Sequence, residues 1–224
     1  MEQPALVIEI LRRLSKAGVL DHLLLIGSWC GAFYRDYFTN VLYAPVLRTR
    51  DIDFLVPVRP KFSTQIDLSE LLADLGFEVS FGGSGLMKLE SENLSLELLV
   101  PEVGPPKTKP HPVPGLKFNA QPIRHLSMLW RAPISVKVAG VQIHVPHPAD
   151  FGIHKLFISK RRKNSDKRTK DVEMAFAVLD ALLEKGERGY LLEAFQNTTP
   201  KEQKAIANAL KENGRTDLLW ALKS

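Results

Sequence analysis

The chain has 224 residues, of which 45% are hydrophobic and 25% are charged. These values exclude collagen-like, low-complexity and mostly disordered proteins. No apolar run approaches the ~20 residues that a membrane span needs. The first residues also lack the basic segment of a secretory signal peptide. A cytoplasmic protein with no membrane association is therefore expected.

The net charge of +5 is concentrated in one short segment. Residues 159–170 (SKRRKNSDKRTK) contain seven Lys or Arg side chains and one Asp, so the rest of the chain is close to neutral. Such a segment attracts the phosphates of a nucleotide or of a nucleic-acid backbone. A solvated loop between two helices would carry the same lysines for solubility, and charge alone leaves both interpretations open.

Helices and strands alternate in the first predicted elements. Apolar residues at helical spacing predict a helix over 4–18 that ends at Gly18. A short apolar run over 22–26 has the shape of a buried strand and ends in Gly27-Ser28. The next predicted elements are a helix over 29–38, a strand over 51–56, a helix over 66–75, and strands over 77–81, 86–90 and 94–100.

The second half of the chain changes from strands to helices. Residues 101–115 contain six prolines and are predicted to form an irregular surface loop. A hairpin follows, with strands over 134–138 and 141–145. Helices are predicted over 148–162, 168–185, 188–196, 200–212 and 215–222. This order is typical of the α+β class, with a mixed or antiparallel sheet in a domain of residues 1–146 and a helical domain of residues 147–224.

Three predicted strands carry residues suited to phosphoryl chemistry. The first strand ends in Gly27-Ser28. Because strand side chains alternate, Asp51 and Asp53 share one face of the second strand. In the third strand Glu97 lies opposite an apolar face. If these strands are neighbours, three carboxylates meet on one patch of the sheet.

Such a patch predicts a site for divalent cations. Three uncompensated carboxylates repel one another, and oxygen ligands favour Mg²⁺ or Mn²⁺ over zinc. Two such ions roughly 3.5–4 Å apart can clamp the attacking and leaving oxygens of an in-line displacement at phosphorus. Gly27 would let a phosphate approach the backbone, and Ser28 would offer a hydroxyl and an N–H group. Each feature alone is common, since Asp-x-Asp recurs by chance and a Gly-Ser turn is usually a helix cap.

Taken together and in this order, the residues resemble the nucleotidyltransferase superfamily, which has the DNA polymerase β-like fold. Its pattern is a strand ending in Gly-Ser, a helix, a strand with Asp-x-Asp, and a later strand with a third acid. The resemblance covers about residues 20–100. It implies that an NTP donates a nucleoside monophosphate to a hydroxyl acceptor, with Asp51, Asp53 and Glu97 as catalytic metal-binding residues. The interval 29–50 is longer than in many members, which implies a longer helix or an inserted loop.

A second stretch resembles the bacterial branch that includes AbiEii-type and related toxin nucleotidyltransferases. Residues 148–156 (PADFGIHKL) and 168–171 (RTKD) carry this resemblance. It implies that Lys155 and Asp171 line the nucleotide site and that an antitoxin is a possible partner. Ser28 and Lys155 are then expected to hold the triphosphate. Two plainer interpretations stay open. Lys155 would then be a surface side chain, and Asp171 would be a helix-start residue that favours the helix dipole.

Other candidate sites are weaker, and the acceptor is left with alternatives. Residues 82–85 lack the Gly-Lys-Ser/Thr of a P-loop, no histidine spacing indicates a metal site, and the single cysteine, Cys30, is expected to pack beside a helix. The basic segment 159–170 favours RNA, such as a tRNA end, as the acceptor. An antibiotic-type small molecule is the main alternative. A non-catalytic nucleic-acid-binding protein on the same fold is disfavoured because all three acids are present.

Overall fold

The strands and the long helices of the chain fall into two separate units. The computed structural model describes residues 2–45, 49–57, 60, 62–102, 104 and 109–223. The first unit comprises Met1–Cys30 and Arg48–Val145, and the second comprises Gly31–Leu47 and Pro146–Ser224. Within the described ranges, no helix is both long enough and apolar enough to cross a membrane.

The first unit contains the sheet. Its strands are β1 (Leu24–Ile26), β2 (Asp51–Leu55), β3 (Glu78–Phe81), β4 (Met87–Glu90), β5 (Ser95–Pro101), β6 (His111–Val113), β7 (Phe118–Ile123), β8 (Ile134–Val138) and β9 (Val141–Val145). Its helices are α1 (Gln3–Lys16) and α3 (Leu68–Leu72), and α2 (Trp29–Phe33) begins in this unit. The predicted α+β class is confirmed.

The sheet is mixed, as the sequence predicts. Its strand order is β1-β2-β5-β4-β3, with β2 parallel to β5 and the remaining neighbours in this path antiparallel. The last residues of β5 pair in parallel with β7, and β6 pairs antiparallel with β7. The hairpin of β8 and β9 is separate, and α1 packs against β9 and α3.

Both faces of the central strands bury apolar side chains. One face carries Ile52, Phe54, Leu96 and Leu98, all at most 1% exposed. The opposite face, which carries the acids, also has an apolar cluster further along the strands. Its members are Leu24, Ile26, Leu55, Leu99, Leu126 and Leu129, with Ile123 and Trp130 against them. The acids therefore border a hydrophobic core.

The structure corrects several predicted boundaries. The strand predicted over 22–26 is limited to Leu24–Ile26, because Leu20–His22 form a 3₁₀ turn. The helix predicted over 29–38 ends at Phe33, and Tyr34, the next residue, donates a 2.8 Å hydrogen bond from its hydroxyl to the Pro146 carbonyl within the second unit. The helix predicted from 168 begins at Ser165, where the Asn164 side chain caps it by accepting from the Lys167 N–H.

The prediction of an irregular loop over 101–115 is wrong at its end. Residues His111–Val113 form β6, and the following segment forms β7, which the sequence pattern did not predict. Pro112 is tolerated because, in the described part of the chain, β6 pairs only with β7 and so needs hydrogen bonds on one side alone. Residues 103 and 105–108 of the predicted loop lie outside the described ranges.

The second unit is helical. Its helices are α4 (Pro148–Ser159), α5 (Ser165–Glu184), α6 (Arg188–Gln196), α7 (Pro200–Glu212) and α8 (Thr216–Ala221). Helix α4 lies at the centre, in contact with α5, α6 and α7, and all of its residues except Ile158 are buried. The segment 31–47, which the sequence groups with residues 1–146, belongs to this unit: the Tyr34 ring meets Phe151, and Gly31 lies against Met174.

Candidate active site

Two of the three candidate acids, Asp53 and Glu97, lie in one row across the sheet, and Asp51 lies one row away, paired with Ser95. Ile26 of β1 is paired with Asp53 of β2, and Asp53 is paired with Glu97 of β5. Paired residues of neighbouring strands put their side chains on the same face. The three strands that the sequence singles out are therefore neighbours, and they bring the end of β1, Asp53 and Glu97 together.

Gly27 follows this row directly, and its geometry explains why a glycine stands there. Its φ is +77°, in the left-handed region that L side chains rarely adopt. A Cβ at Gly27 would also clash with Asp53 Oδ2. The Asp53 carboxylate thus reaches over the glycine backbone, and no side chain fits between them. Ser28, which follows, is 8% exposed, and α2 after it has only five residues.

Asp51 and Asp53 differ in their surroundings although they share a strand face. Asp51 is exposed at the start of β2, whereas Asp53 is half-buried. The apolar cluster borders Asp53 at Ile26, its partner in β1, and continues two residues further on at Leu55 and Leu99. Because apolar surroundings reduce dielectric screening, the Asp53 carboxylate would attract a cation more strongly than a carboxylate in open water does.

Glu97 is paired with a residue that sequence analysis missed. Lys88 of β4 donates a 2.5 Å hydrogen bond from Nζ to Glu97 Oε1. This bond is the largest cause of the raised pKa of Lys88, to which the charges of Glu97, Asp51 and Glu90 add. Lys88 could have been identified from the alternation of side chains along β4, the strand next to β5, because alternation assigns it to one face of that strand.

The donor groups fit a hard divalent cation in chemistry. Asp51 and Asp53 offer carboxylate oxygens from one strand face, and the absence of a Gly27 side chain leaves space for the Asp53 carboxylate itself. Across the described ranges, however, no three His, Cys, Asp or Glu side chains are gathered closely enough to hold a metal ion. Glu97 is in register with Asp53, and its carboxylate is paired with Lys88.

Lys155 and Asp171 belong to the second unit and form a buried ion pair. Lys155 Nζ lies 2.6 Å from Asp171 Oδ1, and the side chains are 7% and 4% exposed. Arg162 Nε donates to the other oxygen of Asp171 at 2.7 Å. Burial alone would raise the pKa of Asp171, but the charges and hydrogen bonds of Lys155 and Arg162 hold it below its usual value.

The two plainer interpretations of this pair are wrong. Lys155 is not a surface side chain, because it is buried on the central helix α4. Asp171 is not a helix-start residue, because α5 begins at Ser165 and Asp171 lies beyond its first turn. The structure brings these two residues together but does not place the Lys155 ammonium at an exposed surface.

The basic segment 159–170 is partly neutralised within the second unit. Lys160 pairs with Glu212, Arg162 pairs with Asp171, and the Arg161 guanidinium lies 4.7 Å from the centre of the Phe157 ring. Lys163 and Lys167 are exposed. Part of the local charge therefore serves to hold α4, α5 and α7 together.

The Cys30 thiol has the structural role that the sequence indicates. Its side chain is completely buried, and Sγ donates to the Leu25 carbonyl at 3.2 Å. Such a thiol packs as a small apolar group and is inert toward solvent reagents.

The solved structures that resemble this chain share little sequence identity with it. No curated protein matches the sequence significantly. Among solved structures, an antigenic nucleotidyltransferase-like protein from Paracoccidioides brasiliensis is 16% identical, with a TM-score of 0.54 over 100% of this chain and 94% of that chain. The crystal structure of ANT(2'')-Ia in complex with adenylyl-2''-tobramycin is 13% identical, with a TM-score of 0.46 over 86% of this chain and 98% of that chain.

A family profile covers most of the sequence. The profile described as Nucleotidyltransferase matches residues 5–199, which include the strands of the first unit and helices α4 to α6 of the second. The chain therefore belongs to the nucleotidyltransferase family, and it is an enzyme of the class that transfers nucleotidyl groups.

Proposed function

We propose that the protein transfers a nucleoside monophosphate from an NTP to a hydroxyl acceptor and that it depends on Mg²⁺ or Mn²⁺. The observation that carries the proposal is the row in which the end of β1, Asp53 and Glu97 are in register on adjacent strands. In this reaction the acceptor oxygen forms a bond to the α-phosphorus of the NTP. The bond between the α-phosphorus and the oxygen that bridges it to the β-phosphorus breaks, and pyrophosphate leaves.

Each candidate residue of the first unit has a distinct role in this proposal. Asp51 and Asp53 hold the ions, which when bound neutralise charge on the triphosphate. Ser28 and the Gly27 backbone meet the phosphates. Glu97 orients the acceptor hydroxyl and takes its proton as the new bond forms. Catalysis then comes from positioning and charge neutralisation, without a covalent enzyme intermediate.

Lys155 and Asp171 are proposed to line the nucleotide site, as the resemblance to the toxin branch implies. Lys155 Nζ donates one N–H to Asp171, so the two other N–H groups of the ammonium are the donors that a triphosphate would meet. Arg162, which is 40% exposed, also compensates Asp171. This assignment, like an AbiEii-type identity with an antitoxin partner, rests on the resemblance of residues 148–156 and 168–171.

The acceptor is proposed to be RNA, such as a tRNA end. Lys163 and Lys167 lie exposed near the start of α5 and suit successive phosphates of a nucleic-acid backbone. A small-molecule acceptor is the second candidate. It is favoured by the internal pairing of Lys160 and Arg162, which leaves fewer charges for a polyanion.

The metal site is tested by calorimetry with Mg²⁺ or Mn²⁺ in the presence of a non-hydrolysable NTP. The double variant Asp51→Asn, Asp53→Asn should not bind the ion, because each amide lacks the negative charge that attracts it. Asp21→Asn, an exposed acid of the same unit, is the matched control and should bind as the wild type does. Unchanged binding in the folded double variant would refute the site.

A further inference from the structure

Lys88 places a positive charge on the acidic face of the sheet. The pairing of Leu89 with Leu96 and of Glu90 with Ser95 sets Lys88 beside Glu97, on the side away from Asp53. Lys88 and Glu97 are 32% and 16% exposed, so the pair is partly withdrawn from water. The Glu97 carboxylate thus lies in a row between an aspartate and an ammonium group.

The acids around Lys88 keep it charged. Its raised pKa has the Glu97 hydrogen bond as main cause, with Asp51 and Glu90 adding their charges. A lysine that stays protonated cannot accept a proton from substrate. Lys88 therefore acts as a cation, and it attracts the Glu97 carboxylate as a divalent ion would.

We infer that Lys88 is a positioning residue that competes with the divalent cation for the Glu97 carboxylate. This inference rests on the metal-dependent function proposed above. While Lys88 holds Glu97, the ions are held by Asp51 and Asp53, and Glu97 is kept to receive the acceptor hydroxyl. Loss of the lysine frees Glu97 to turn toward Asp53 and join the metal ligands. A merely structural cross-strand ion pair would stabilise the sheet without affecting metal binding.

The competition is measured with Mn²⁺ alone as the probe, by electron paramagnetic resonance of the free ion in titrations without nucleotide. The proteins are the wild type, Lys88→Met, Glu97→Gln and the double variant. We expect Lys88→Met to bind Mn²⁺ about tenfold more tightly, because it removes a positive charge and releases a ligand. In the Glu97→Gln background, where no ligand is released, the same substitution should have an effect several times smaller.

Two controls separate competition from general effects of charge and folding. Lys117→Met removes another lysine of the same unit, paired with Asp67 at 3.4 Å, and should leave Mn²⁺ affinity unchanged. Lys88→Arg keeps the charge and should bind Mn²⁺ as the wild type does. Circular dichroism verifies that each variant is folded.

The outcomes distinguish this inference from the proposed function. Equal effects of Lys88→Met in the two backgrounds, or no effect in either, overturn the inference while the metal site at Asp51 and Asp53 stands. In the same titration, Mn²⁺ binding that is unchanged by Asp51→Asn combined with Asp53→Asn overturns both.

Discussion

Gly27 shows how one residue joins backbone conformation to the candidate chemistry. Its left-handed φ turns the chain at the end of β1, and its missing side chain leaves space for the Asp53 carboxylate. A Cβ atom at position 27 is thus disfavoured for two reasons: the backbone conformation and the clash with Asp53. Either reason alone would favour glycine, and only the second links it to the proposed metal site.

We predict that Gly27→Ala lowers stability and weakens Mn²⁺ binding. The left-handed conformation costs an L residue about 1–2 kcal/mol, and the new Cβ would also push Asp53 Oδ2 away. Urea denaturation and Mn²⁺ titration measure the two effects. Gly76→Ala is the matched control, since Gly76 has φ +81° with nothing within 4 Å of its Cβ position, and it should lose stability only. Equal Mn²⁺ affinity in both variants would contradict this account of Gly27.

The buried Lys155–Asp171 pair supports a second prediction at this scale. Lys155→Met should destabilise the protein by about 3–5 kcal/mol, because it leaves a buried carboxylate with fewer partners. Adding Asp171→Asn should restore part of that loss. Lys160→Met breaks the more exposed pair with Glu212 and should cost less than about 1 kcal/mol. Denaturant unfolding measures the free energy of unfolding of each variant. Similar decreases for Lys155→Met and Lys160→Met would show that burial of the ion pair does not determine the decrease.

At the scale of the element, the start of α4 depends on a histidine. His147 caps the helix by accepting the Ala149 N–H at Nδ1 over 3.2 Å. The neutral ring therefore carries its proton on Nε2, which lies 3.2 Å from the Tyr37 hydroxyl. That hydroxyl in turn donates to Glu187 over 2.5 Å, and Lys185 pairs with Glu187. Helix α4, on which Lys155 lies, is thus anchored by a directed hydrogen-bond chain.

This chain makes stability depend on pH. Burial lowers the pKa of His147; Lys185 lowers it further, while Glu187 and Glu193 oppose the shift. The unfolded state binds the proton more readily than the folded state does. The contribution of His147 to stability is therefore fully present above the ordinary histidine pKa of about 6.5, and it is lost as the pH falls through the lower pKa of the folded state. Protonation at Nδ1 also removes the cap acceptor.

We therefore predict that the free energy of unfolding decreases as pH falls from about 7.5 to about 5.5, above the range where carboxylates titrate. His147→Asn keeps a capping acceptor but cannot titrate, so its stability should change less over the same range. Urea unfolding at several pH values gives the comparison. Parallel curves for the two proteins would show that another group causes the dependence.

At the scale of the whole molecule, the charge asymmetry predicts how an RNA acceptor would bind. Each phosphate neutralised by a basic residue contributes a slope of about −0.7 to −0.9 in the logarithm of affinity against the logarithm of salt. Replacing Arg161, Lys163 and Lys167 with Gln should flatten that slope and leave NTP binding intact. Arg162 is kept, because its replacement would disturb Asp171.

The matched control replaces three exposed lysines of α7, Lys201, Lys204 and Lys211, and should leave the slope unchanged. RNA affinity measured across salt concentrations decides between an RNA-binding segment and a solvated loop. Equal slopes for the wild type and the variant of residues 161, 163 and 167 would remove RNA from the proposed function.

The local pattern of the sequence determined the faces of the strands and most of the helices. Alternation puts Asp51 and Asp53 opposite Ile52 and Phe54, and helical spacing predicts α1 and α4 to α8, because these features depend on neighbours along the chain. The long interval after Gly27-Ser28 also predicts extra structure. The choice between a longer helix and an insertion was decided by the tertiary structure, which assigns residues 31–47 to the helical unit.

Only the tertiary structure decided which strands are neighbours and which charges are paired. The register of Asp53 with Glu97, the bond from Lys88 to Glu97 and the burial of Lys155 all join residues far apart in sequence. The reason is physical. A side chain's direction follows from backbone geometry within a few residues, whereas its partners depend on how apolar faces across the whole chain are buried together.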